Sequence, residues 1–280
     1  MKRMEMPHSG WDDAATPAEG RWSAVLLGLV AGLLLGASLM PGVSLERTLY
    51  LALHGVCAQT HNLISGGIQL PLCARDSGMY LSELVTLGVV AARGRWRAGR
   101  LPPLPISLVI VGLFLLMVAD GLNSTVAELG MATAYAPRTD LRLLTGMGAG
   151  IGLALAVLLV LNTALRRDVE ATVGSLGGWR DLGLVLAVNA GIVIALAADS
   201  PLLSIPLALL VTVGVVGNLA VVMLLFPSLV LGLRGRVTRM SQLAHPAVIG
   251  LVLALTFVLA LARYRIWMEL GGYLPLPMVP

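Results

Sequence analysis

The chain has 280 residues, of which 57% are hydrophobic and 12% charged, with a formal net charge of +4. A soluble domain carries about 25% charged residues, so this composition excludes a water-soluble globule, which needs more polar surface than it supplies. The pI near 9.5 therefore reads as arginine in the loops of a membrane chain, not as a nucleic-acid-binding surface.

Residues 1–21 mix Lys2 and Arg3 with Glu5, Asp12, Asp13 and Glu19 and are expected to form a cytoplasmic tail. The apolar run after them is longer than a signal-peptide core and lacks a small-x-small cleavage site. Runs of about 20 apolar residues suffice to cross about 30 Å of hydrocarbon. Seven such spans are expected, at 22–40, 77–93, 103–121, 142–165, 180–198, 202–226 and 246–262. The sixth run continues to Leu233, too short for two spans, and fits one long tilted helix bent near Pro227. The expected fold is an all-α integral membrane protein, a bundle of about seven transmembrane helices plus an amphipathic interfacial helix. It divides into the tail, a four-span region over 22–165, and three further spans with a short C-terminal tail over 166–280.

Arginine placement orients the chain. With the N-terminus inside, the inner segments hold Lys2, Arg3, Arg21, Arg93, Arg95, Arg97, Arg100, Arg166, Arg167, Arg180, Arg234, Arg236 and Arg239. The outer segments hold Arg47, Arg75, Arg138, Arg142, Arg263 and Arg265. Thirteen positive charges against six place the N-terminus in the cytoplasm and the C-terminus outside. Gly28, Gly32 and Gly36 form a small-xxx-small ridge on the first span, and Gly146, Gly148, Gly150 and Gly152 form another on the fourth. Such ridges are helix contact faces, within the bundle or, at Gly28–Gly36, toward another membrane subunit as well as the lipid bilayer.

Residues 44–83 carry most of the chemistry. Ser44 is a helix N-cap with Glu46 in the first turn. At about 100° per residue, Leu45, Leu49, Ala52, Val56 and Leu63 share one face, opposite Arg47, Tyr50, His54, Cys57 and His61. This predicts an amphipathic helix over 44–64 at the outer interface. A Gly66-Gly67 turn follows, then a span on which Asp76, Tyr80 and Glu83 share a face. Glu83 lies near mid-depth, where an acid facing lipid costs at least about 2.5 kcal/mol, so it is expected to face protein or water.

Cys57-Ala58-Gln59, then Gln69, Pro71, Cys73-Ala74-Arg75, Gly78 and Tyr80, resemble a bacterial and archaeal membrane-protein family, domain-of-unknown-function family 2085. That family reads Cys-His-Gln, then Gln-x-Pro-x-Cys-Ala-Arg-Cys-Thr-Gly-Ile-Tyr, with an Asp-Gly at a span end and an Arg-x-x-Thr-Gly opening the next. Asp120-Gly121 and Arg142, Thr145 and Gly146 stand in those places. The resemblance covers about residues 45–165 and implies a bacterial or archaeal cell membrane and a site, but no reaction. Two positions depart: Ala58 replaces the family's His, and Asp76 its second Cys. If the family's Cys and His residues bind metal, this chain has either a shifted ligand set or no metal.

Two groups of candidate residues follow. Cys57, His61, Cys73 and Asp76, with His54 nearby, could hold a metal ion such as zinc. The alternatives are a Cys57–Cys73 disulfide, stabilising by roughly 3 kcal/mol, and free thiols. Arg75, Tyr80, Glu83, Asp120 and Arg142 form a polar cluster for substrate or for structure, because the topology brings three separate stretches to one membrane face. The structural alternatives are an ion pair of Asp120 with Arg138 or Arg142, and a pairing of Glu83 with Arg75 or an asparagine. Asn189 and Asn218 read as interhelical hydrogen-bond links. One functional reading is a membrane-embedded enzyme acting on a lipid-like substrate, with Arg75 or Arg142 holding an anionic headgroup. The other is a non-catalytic bundle, an accessory subunit of a larger membrane complex or a small transporter. The last three spans carry almost no ionisable interior residue, which argues against a midplane ion-coupled site and leaves Glu83 as the one acid available for it.

Overall fold

The structure is a computed structural model that describes residues 16–39, 42–57 and 62–274. Helix α1 (Pro17–Ser38) starts earlier than its apolar run, because Thr16 and Glu19 form a reciprocal capping box and Pro17 occupies the first turn. Helix α2 (Leu45–Leu53) is capped by Ser44 Oγ, which accepts from the Arg47 N–H at 3.2 Å. A two-stranded antiparallel hairpin, β1 (Ile64–Ser65) and β2 (Ile68–Gln69), follows. It turns at Gly66 and Gly67, both at positive φ. Then come α3 (Ala74–Ala92), β3 (Ala98–Arg100), α4 (Leu104–Glu128), α5 (Thr139–Leu165), β4 (Glu170–Gly174), α6 (Trp179–Ala197), α7 (Pro201–Val230) and α8 (Ala244–Leu270). Strands β3 and β4 pair in parallel. The two minimal sheets lie between helices and qualify the all-α expectation only locally.

Five of the described helices, α4 to α8, are long and apolar enough to cross a membrane. Helix α3 coincides with the second expected span but is more polar, and its position explains why. It packs on α5, α6 and α7 and buries Ser77, Ser82, Glu83 and Thr86 along with Leu81, Val89 and Val90. A helix enclosed by other helices need not be apolar all round.

The α3–α5 pairing is the closest in the bundle, and glycine makes it so. A Cβ at Gly146 would sit 2.0 Å from the Arg75 carbonyl oxygen, and one at Gly150 would sit 2.1 Å from that of Met79. Gly148 and Gly152 face Leu113 and Ile110 of α4 instead. The ridge expected on the fourth span thus serves two neighbours at once. At Gly28, Gly32 and Gly36 a Cβ would meet nothing within 4 Å, so that ridge is not used inside the fold.

Basic loops gather at one end of the bundle. Asp168 pairs with Arg97 and Arg166, Asp181 with Arg93 and Arg95, and Glu19 with Arg239. At the other end the hairpin docks on the α6–α7 turn: Ser65 donates to the Leu196 carbonyl at 2.9 Å, and the Gly66 N–H bonds Asp199.

The amphipathic helix expected over 44–64 is shorter than that. It ends at Leu53, with His54 as its C-cap. Gly55 then passes so close to the backbone of α8 that a Cβ would lie 2.2 Å from the Leu261 carbonyl carbon. Helix α2 is packed on α7 and α8, and Cys57 leaves the helical stripe altogether.

Candidate metal and polar site

The start of α3 holds the first group. Cys73 is the N-cap of α3 and makes no side-chain capping bond, which frees its thiol to face Cys57 and Asp76. The donor atoms of Cys57, Cys73 and Asp76 all lie within 4.8 Å of one another. Cys57 and Cys73 are buried and both are free thiols in this structure. The Cys57 thiol is pushed far up from its ordinary pKa by its hydrogen bond to Cys73, by burial, and by the neighbouring Asp76. Among the described residues no arginine or lysine pairs with Asp76. Three groups that can each carry a negative charge therefore crowd together. The N-terminal end of α3, where Cys73 and Asp76 sit, favours negative charge.

His54 does not join them. Its Nε2 lies 2.8 Å from Glu269 Oε2, and the Arg265 Nε donates to Glu269 Oε1 at 2.9 Å. All three side chains are buried. Arg265 also donates to the Cys57 carbonyl, so this triad anchors the Cys57 loop to α8. Burial raises the Tyr50 pKa, and Glu269 raises it further; the Tyr50 ring lies 4.9 Å from that of His54. His61 lies outside the described residues.

Of the polar cluster, Arg75, Asp120 and Arg142 come together. Arg75 Nη2 donates to Asp120 Oδ2 at 2.6 Å and to Ser124 Oγ at 3.0 Å. Arg142 Nε reaches the same Ser124 oxygen at 3.3 Å. Tyr135 donates to the other Asp120 oxygen at 2.7 Å, a bond that raises the tyrosine's pKa. Arg138 pairs with Asp140 instead of Asp120. Tyr80 and Glu83 turn elsewhere: Tyr80 packs on Gly214 of α7, and Glu83 accepts from Asn218 Nδ2. Asn189 donates to Ser82 Oγ at 2.9 Å. Both asparagines thus act as links between helices.

Residues 57–156 match the model of a family described as a predicted membrane protein (DUF2085). This is the family resembled by the Cys73-Ala74-Arg75 motif. No curated protein and no solved structure matches the chain. The DUF2085 match, with the apolar helices, makes this a membrane protein. The match opens at Cys57 and closes inside α5, so it encloses the Cys57–Cys73–Asp76 group and the Arg75–Asp120–Arg142 cluster. His54, Asn189, Asn218, Arg265 and Glu269 lie outside it.

The sequence does not single out Tyr135, Ser124, Arg265 or Glu269 as site residues. Tyr135 and Ser124 sit within a short stretch of Asp120 and carry no motif of their own. Glu269 is 215 residues from His54; an acid four residues after an arginine, as in Arg265 and Glu269, is an ordinary helix pair. Only the buried histidine asks for such a partner.

Proposed function

We propose that the protein is a multi-pass membrane protein that binds a metal ion, with zinc the best fit, through Cys57, Cys73 and Asp76 at its outer face. The supporting observation is the mutual approach of these three donors. Ligand bonds of about 2.3 Å to sulfur and 2.0–2.2 Å to oxygen put donors on one zinc at most about 4.6 Å apart, close to the separations found. Zinc would also neutralise the crowded acidic groups, because thiols bind it as thiolates. On this reading α1 and α3 cross the membrane together with the five more apolar helices. The arginine bias places the N-terminus in the cytoplasm of a bacterial or archaeal cell, with the site outside.

Three protein ligands are the set found in catalytic zinc sites, where a fourth position stays open. That favours, as a second reading, an enzyme acting on an anionic lipid-like substrate, with Arg142 as the cation that Asp120 does not neutralise. The unfilled glycine ridge of α1 favours an accessory subunit docking there.

The test is metal analysis of detergent-purified protein, with thiols counted after denaturation in chelator. About one zinc per chain and two titratable thiols are expected, and Asp76→Ala or Cys73→Ser should lose the metal. Absence of metal together with absence of titratable thiols would establish the disulfide in its place; thiols without metal would also overturn the proposal.

A further inference from the structure

Four acids among the described residues are buried: Glu83, Asp120, Asp181 and Glu269. Three have cationic partners: Arg75 for Asp120, Arg93 and Arg95 for Asp181, and Arg265 with His54 for Glu269. Glu83 has none. It is 2% exposed, lies in the middle of α3, and accepts one hydrogen bond, from Asn218 Nδ2 to its Oε1. Its second oxygen, Oε2, is buried with no partner.

The surroundings offer no counter-charge. On α3 the nearest titratable groups are Tyr80, one turn toward the outer end, and Asp76 beyond it. Helix α7 contains no titratable residue, α6 none after Asp181, and α5 none after Arg142. A carboxylate in such a place keeps its charge without solvation, which is costly. Protonation at Oε2 removes the charge and creates a donor. The facing α6 carries an acceptor in the same condition: Asn189 Oδ1 is buried and unpartnered, while its amide nitrogen bonds Ser82, the residue beside Glu83.

A metal cation fits less well. Helix α3 is unbroken over Ala74–Ala92, so its carbonyls are committed to the helix. The side-chain oxygens left belong to a single carboxylate and to neutral amides and hydroxyls, a poor match to the several charged oxygens that a hard cation such as calcium collects.

We propose that Glu83 is a proton-binding site: a neutral carboxylic acid at mid-depth in the bundle, whose proton exchanges with water. Asp76 and Tyr80 lie on the same face of α3 as Glu83.

Infrared difference spectroscopy on the full-length protein in lipid nanodiscs tests this. Wild type at neutral pH should show the carbonyl band of an unionised carboxyl that is lost in Glu83→Gln, and transfer to heavy water should move that band to lower frequency. Glu83→Gln reproduces the neutral acid in size and should keep the wild-type melting temperature, whereas Glu83→Ala should lower it. A spectrum in which the variant loses no such band overturns the proposal, as does a band that heavy water leaves in place. So does bleaching of the band by sodium at constant pH. Failure of Glu83→Gln to fold counts the same way, because it would show that the charge is needed.

Discussion

Both oxygens of Asp120 are engaged, one by Arg75 and one by Tyr135, and Arg75 bridges onward through Ser124 to Arg142. The carboxylate side chain is 2% exposed and that of Arg75 13%, so water replaces a lost partner poorly. Asp120→Ala should cost about 3–5 kcal/mol, the penalty for leaving one member of a buried pair alone. The lower end is expected, since Arg75 keeps some access to solvent. Thermal unfolding of purified protein reads this directly. The double variant Arg75→Met with Asp120→Leu should recover much of the loss, because it leaves no orphaned charge. A single variant as stable as wild type would show that the pair is solvated after all. Glu269 gives a different kind of prediction. It holds Arg265, which holds the Cys57 carbonyl, yet it is not among the proposed metal ligands. Glu269→Gln should therefore weaken zinc about 10–100-fold, the usual effect of disturbing a ligand's support, while the three ligand side chains stay intact. Competition with a chromophoric chelator measures it; an affinity equal to wild type would separate the triad from the site.

The helices differ in how far their sequences announce them. α4 to α8 are apolar enough to be read from length and hydropathy alone, and the glycine ridge of α5 announces its contacts. α2 is read too long because a periodic pattern continues through His54, Val56 and Leu63, while the chain is bent away at Gly55 by contact with Leu261, a neighbour 206 positions later that no local pattern reveals. Convergence of Asp120, Arg142 and Arg75 is legible because α3, α4 and α5 are consecutive and their ends alternate. The same logic says nothing about α8, which closes on α2 across the whole chain. The glycines of α5 allow a matched test. Gly150→Val should abolish folded protein, because its side chain meets the Met79 carbonyl on α3. Gly183→Ala on α6, with nothing within 4 Å of the new Cβ, should be neutral or raise stability by about 0.5–1 kcal/mol through helix propensity. Size-exclusion profiles and melting temperatures compare the two; equal behaviour would mean that α3 and α5 do not pack this closely.

At the scale of the molecule, charge and chemistry separate to opposite ends. Asp168, Asp181 and Glu19 tie the arginine-rich loops together at one end, and β3 and β4 join the α3–α4 loop to the α5–α6 loop there. At the other end lie the hairpin, the Cys57–Cys73–Asp76 group and the Arg75–Asp120–Arg142 cluster. This separation is what the positive-inside rule needs, since the rule counts charges by side and is meaningful only if the loops counted together share one. The structure brings the loops together; the arginine count then proposes which side they face. Met131, between α4 and α5, is 59% exposed, and Arg234, after α7, is also exposed. Cysteines placed at these two positions report on opposite ends, against a background in which Cys57 and Cys73 are buried. In intact cells an impermeant maleimide should label Met131→Cys readily and Arg234→Cys only after the membrane is opened. The reverse pattern would turn the molecule over and place both native cysteines in the reducing cytoplasm. There a disulfide would not persist, and the metal reading would have to stand on the intracellular zinc supply. Labelling of both positions in intact cells would contradict the alternation of the helices itself.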